Sequence, residues 1–92
     1  MVLLTEIRMG NGTIEAVYAP EEDRTDRGRL VCERKSGKLL SETLCRADRL
    51  MCVPHYREEA LEALQFFRLS EECPKGFRYG RMGQSGNEKI SQ

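Results

Sequence analysis

Gly10-Asn11-Gly12 separates two stretches rich in branched and apolar residues, Val2–Met9 (VLLTEIRM) and Thr13–Ala19 (TIEAVYA). No other feature of the chain limits its fold so tightly. The triplet supplies the positive φ angles that a tight hairpin turn needs. In the second stretch Ile14, Ala16 and Tyr18 alternate with Thr13, Glu15 and Val17, which is the period of a strand with one buried face. The first two elements are therefore expected to be the arms of an antiparallel hairpin.

Pro20 ends the second strand. Residues 20–28 (PEEDRTDRG) contain no large apolar side chain, so they read as a charged, mobile loop closed by Gly28. Arg29–Arg34 (RLVCER) returns to extended character, and Lys35-Ser36-Gly37-Lys38 suits a turn. The next stretch supports two readings. Leu40, Leu44, Ala47 and Met51 recur at helical spacing, with Ser41 as a cap, Glu42 in the first turn and Arg49 in the last. That pattern favours a helix over 41–52. The alternative is a strand over 38–44 returning from a turn with Ser36-Gly37 at its tip.

Val53-Pro54 interrupts whatever precedes it and permits a helix start. From Tyr56 to Glu71 a helix is expected, with Tyr56, Ala60, Leu64 and Phe67 in one stripe flanked by Leu61 and Phe66. Glu58, Glu59 and Glu62 sit near its positive end. Cys73-Pro74-Lys75-Gly76 stops it, and Phe77-Arg78-Tyr79 reads as a last short strand or a docked segment. Glycine and polar residues dominate 80–92, which read as a flexible tail. The expected architecture is α+β: one domain over 1–79, built as a small antiparallel sheet of three to five strands with one or two helices packed on one face.

Charge narrows the function classes. The 15 basic and 15 acidic residues cancel, so no long-range field of one sign recruits nucleic acid or a membrane surface. The charges are nevertheless grouped. Residues 1–28 hold 3 basic and 6 acidic side chains, 29–57 hold 7 and 3, 58–72 hold 1 and 5, and 73–92 hold 4 and 1. Such a patchwork suits complementary contact with another protein or with a second copy. Glu6 and Arg8 cut short the apolar start before it resembles a secretion signal, and no run approaches the roughly 20 apolar residues that span a bilayer. The chain reads as a cytoplasmic protein with reduced cysteines and no membrane association.

Four cysteines and one histidine raise the question of a metal. Cys32, Cys45, Cys52, His55 and Cys73 offer only one short ligand pair, Cys52-x-x-His55, where a structural zinc site favours two. No C-x-x-C redox motif is present. Cys32, Cys45 and Cys52 each stand beside leucine, methionine or valine, so the preferred reading is packing, with both Cys45 and Cys52 turned inward. A zinc-stabilised domain is the competing reading. His55 is placed at the entry to the long helix, as a cap or a surface side chain.

Catalytic machinery is not evident. Gly83-Gln84-Ser85-Gly86-Asn87 departs from a nucleophile elbow at its last position, and no phosphate loop or dinucleotide fingerprint occurs. Arginine outnumbers lysine 11 to 4, which suits two-pronged contacts with carboxylates or phosphates. The candidate partner-binding residues are Arg34, Lys38, Arg46, Arg49 and Arg57, all in the net-positive middle. The chain is thus expected to be a small non-enzymatic binding or regulatory protein, with no cofactor, metal or small-molecule substrate. Its partner is expected to be another protein or a second copy of itself. A nucleic-acid-binding module is the alternative, using the same arginines with Phe77, Arg78, Tyr79 and Arg81.

Overall fold

The computed structural model describes residues 1–80 and 88–89. The expected hairpin forms from β1 (Val2–Met9) and β2 (Thr13–Pro20), joined across Gly10-Asn11-Gly12. Ile14, Ala16 and Tyr18 of β2 are buried, as their alternation requires. In β1 the alternation breaks. Val2 and Leu4 face the core, but so does Ile7, because the pairing with β2 slips between Thr5 and Arg8. Glu6 takes the extra position with φ 49°, in the left-handed region that a glutamate enters only under constraint. This bulge exchanges the two faces of the strand, so that Ile7 reaches the core Leu4 faces.

β3 (Gly28–Glu33) adds to the outer edge of β2, and β4 (Leu39–Thr43) adds to β3. The strand over 39–43 corrects the helical reading of 41–52. Leu40, a member of the supposed stripe, is 52% exposed. Gly37, at φ 79°, forms the turn, Ser36 hydrogen-bonds Glu33, and the Lys38 N–H donates to Ser36 Oγ at 3.1 Å. The free edge of β3 then offers a ladder to a stretch whose Ser41 and Thr43 are weak helix formers. Only four residues of the supposed helix are helical, as α1 (Arg46–Arg49).

The long helix is present as α2 (His55–Phe67) and ends earlier than its sequence pattern allows. It lies over β1, β2 and β5 (Gly76–Tyr79), which pairs with the other edge of β1. The segment 77–79 is thus a strand. A two-residue strand, β6 (Glu88–Lys89), pairs with β5, and the antiparallel sheet runs β4-β3-β2-β1-β5-β6. The rest of the stretch expected as a tail lies outside the described residues, apart from Gly80. The architecture is α+β with α2 packed on one face of the sheet, as expected. Ala60, Ala63, Leu64 and Phe67 of α2 meet Val2, Leu4, Tyr18, Leu30 and Phe77, and the Phe67 and Phe77 rings pack edge-on at 5.0 Å. Each large side chain buried there contributes about 1.5–3 kcal/mol. Among the described residues no helix is long and apolar enough to cross a membrane.

A candidate interaction surface

The fold positions the exposed segment after β4 through two aspartates. In residues 20–28, expected as a charged loop, each acid has a partner. Asp23 accepts from the Thr25 N–H and hydroxyl at 3.2 and 2.6 Å. Glu22 accepts from the Tyr56 hydroxyl at 2.9 Å, and Glu21 pairs with Arg78 at 3.0 Å. Asp26 accepts the N–H groups of Arg46 and Ala47 at 2.6 and 2.9 Å. These are orphan donors at the start of α1. Ser41, the cap expected from sequence, lies instead in β4.

Asp48 does for α2 what Asp26 does for α1. Pro54 precedes the helix and has no side-chain oxygen with which to cap it. The Asp48 carboxylate fills that place from upstream. Its Oδ1 accepts the Tyr56 N–H at 3.0 Å and its Oδ2 the Arg57 N–H at 2.9 Å. Oδ2 also accepts the Tyr18 hydroxyl at 2.7 Å, and that hydroxyl accepts the Cys45 N–H at 3.1 Å. Asp48 is 1% exposed. A buried acid is tolerable only when its acceptor sites are filled, and a helix N-terminus favours an anion. Burial, reinforced by the hydrogen bond to Asp48, pushes the Tyr18 phenol well above its ordinary range. Burial likewise raises the Cys45 thiol.

α1 and the turn after it are therefore fixed from both sides. Arg46, Arg49 and Cys52 are exposed on this segment, Leu50 is 80% exposed and Val53 43%. Two guanidinium groups and two aliphatic side chains thus project from a backbone anchored to the core.

The five arginines and lysines expected to bind a partner do not form one patch. Lys38 is exposed in the β3–β4 turn. Arg34 is engaged internally: its Nε donates to the Arg68 carbonyl at 2.8 Å and its Nη2 to that of Ser70 at 2.9 Å. Arg68 reciprocates to the Arg34 and Lys35 carbonyls. Together they clamp the end of β3 to the last turn of α2, satisfying carbonyls a helix terminus leaves open. Arg57 pairs with Glu42 at 3.2 Å. Arg57 and Arg68 lie eleven residues apart on α2 and just beyond it, or about 16 Å along the axis, so the pair formed by Arg57 is remote from the Arg34 clamp. Of the proposed set, Arg46 and Arg49 share one short exposed element. Leu50 and Val53 were missed in the sequence because apolar residues beside cysteines read as core.

The cysteines divide. Cys32 and Cys45 are buried, as expected, while Cys52 is exposed, which corrects its inward placement, and so is Cys73. Cys73 Sγ donates to the Ile7 carbonyl at 3.2 Å. His55 is exposed in the first turn of α2. Among the described residues no three histidine, cysteine or acidic side chains gather as a metal site. Arg81 and Gly83–Asn87 lie outside the described residues. The chain matches no family model, no curated protein and no solved structure.

Proposed function

We propose that this is a small non-enzymatic binding or regulatory protein that docks on an acidic patch of another protein through residues 46–53. One observation carries the reading. Arg46, Arg49, Leu50 and Val53 project from a segment whose backbone is held by Asp26 and Asp48. Such a surface is already ordered before a partner arrives, so little conformational entropy is lost on docking. Covering Leu50 contributes about 1.5–3 kcal/mol, and the guanidinium groups supply orientation through paired contacts with carboxylates.

The test compares the wild-type protein with Arg46→Glu combined with Arg49→Glu, both immobilised and exposed to lysate from the host that encodes the chain. Both side chains are exposed, so the variant should melt where the wild type does. The reading requires an acidic protein that the wild type retains, that the variant retains about tenfold less, and that elutes with salt. Identical recovery by the two proteins, or recovery of nucleic acid in place of protein, defeats it.

A further inference from the structure

The sheet face opposite α2 carries a second feature, independent of residues 46–53. Leu3 and Ala19 are buried but lie outside the core beneath α2. They are paired neighbours in β1 and β2, and the next pair on the same face is Thr5 with Val17. A cavity of about 340 Å³ opens over Leu3, Val17 and Ala19, and its rim is formed by Arg24, Arg27 and Lys75. Gly76 completes the lining on the β5 side. The lining holds three cationic side chains and no acid.

That imbalance follows from the loop between β2 and β3. None of its four acids lines the cavity, and each has another partner: Glu21 pairs with Arg78 on the same sheet face, Glu22 accepts from Tyr56, Asp23 from Thr25, and Asp26 from the first N–H groups of α1. Its two arginines, Arg24 and Arg27, line the cavity. Arg27 has one exposed partner, Glu6, at 3.3 Å, and exposed pairs of this kind exchange readily. Arg24 and Lys75 have no side-chain hydrogen bond or ion pair among the described residues.

We infer that this cavity binds a small anion with an apolar body: a carboxylate or phosphate monoester carrying one or two rings or a branched aliphatic group. Leu3, Val17 and Ala19 provide the apolar floor. Arg24 and Arg27 suit two-pronged contact with the anionic group, Lys75 adds a third charge, and the Thr5 hydroxyl is an additional donor. The volume sits at the small end of the range for ligand cavities, about 300–1,000 Å³.

The test is a titration of the isotope-labelled full chain, followed by backbone amide shifts. Four probes are used: naphthoate, naphthyl phosphate, neutral naphthylmethanol and inorganic phosphate. Saturable shifts at Thr5, Val17, Ala19 and Gly76 with at least one naphthyl anion, and none with naphthylmethanol or phosphate at the same concentration, support the site. The two anions distinguish a carboxylate from a phosphate preference. Arg24→Gln combined with Lys75→Gln should weaken binding by about tenfold or more while leaving the remaining spectrum in place. The inference is overturned if neither anion gives saturable shifts at these amides, if naphthylmethanol or phosphate matches them, or if the double variant binds unchanged.

Discussion

Asp48 is the residue that joins α1 to the start of α2. It accepts the Tyr18 hydroxyl and two N–H groups of the first turn of α2. Asp48→Ala should destabilise the fold by about 2–4 kcal/mol, since it removes a helix cap and leaves a buried hydroxyl without its acceptor. Tyr18→Phe should lose about 1–3 kcal/mol by leaving the Cys45 N–H without a partner. Because both act in one network, denaturant melts of the double variant should show less loss than the two single losses added together. The same residues set an alkaline limit. The Tyr18 phenol is raised by burial and by Asp48 above its ordinary 10.0, and Tyr56 is pushed up to about 12, first by its hydrogen bond to Glu22 and then by burial. Burial raises the Cys32 and Cys45 thiols above their ordinary 9.0. Each raised group keeps its proton in the folded state after the unfolded chain has released it. Stability is therefore full below the unfolded values and declines as pH rises past them, most steeply through the fully buried Tyr18 and less through Tyr56, whose shift solvent screens. Melting temperatures should fall from about pH 9 upward, and Tyr18→Phe should make that decline shallower.

At the scale of elements, the Arg34–Arg68 clamp separates an arginine that holds the fold from those available to a partner. Arg34→Ala should lower stability by about 1–3 kcal/mol, by opening the carbonyls at the end of α2. Arg34→Lys should recover only part of that, because an ammonium lacks the two-pronged fork. Partner retention, measured at a temperature where the variant stays folded, should be unchanged. Elements whose signal is local were legible in the sequence. The β1–β2 hairpin has its turn and its alternation side by side, and α2 repeats its apolar stripe over several turns. β4 was legible only as the second of two readings, because what makes it a strand is the free edge of β3, and the spacing of Leu40 and Leu44 imitates a helix. The capping aspartates were missed for a similar reason. Asp26 and Asp48 act on turns distant in sequence, whereas capping patterns read from sequence look only at immediate neighbours. The outward placement of Arg46 and Arg49 was legible. The roles of Arg34 and Arg57 were not, since their partners arrive from other elements. The bulge at Glu6 left no mark, for no glycine stands there.

The molecule as a whole keeps its two sheet faces and its α1 segment distinct. One face is closed by α2. The other carries the cavity rimmed by Arg24, Arg27 and Lys75. Residues 46–53 project beside the start of α2, joined to it through Asp48. With no net charge on the chain, recognition at this segment depends on short-range complementarity and not on a field of the whole protein. A photoreactive phenylalanine analogue placed at Leu50, and in a separate protein at Leu40 in β4, tests that claim most directly, since both positions are exposed and apolar. On illumination in the host cell, the account predicts a discrete protein adduct from position 50, abolished by Arg46→Glu with Arg49→Glu, and no such adduct from position 40. Equal adducts from both positions, an adduct to nucleic acid alone, or none from position 50 would contradict it.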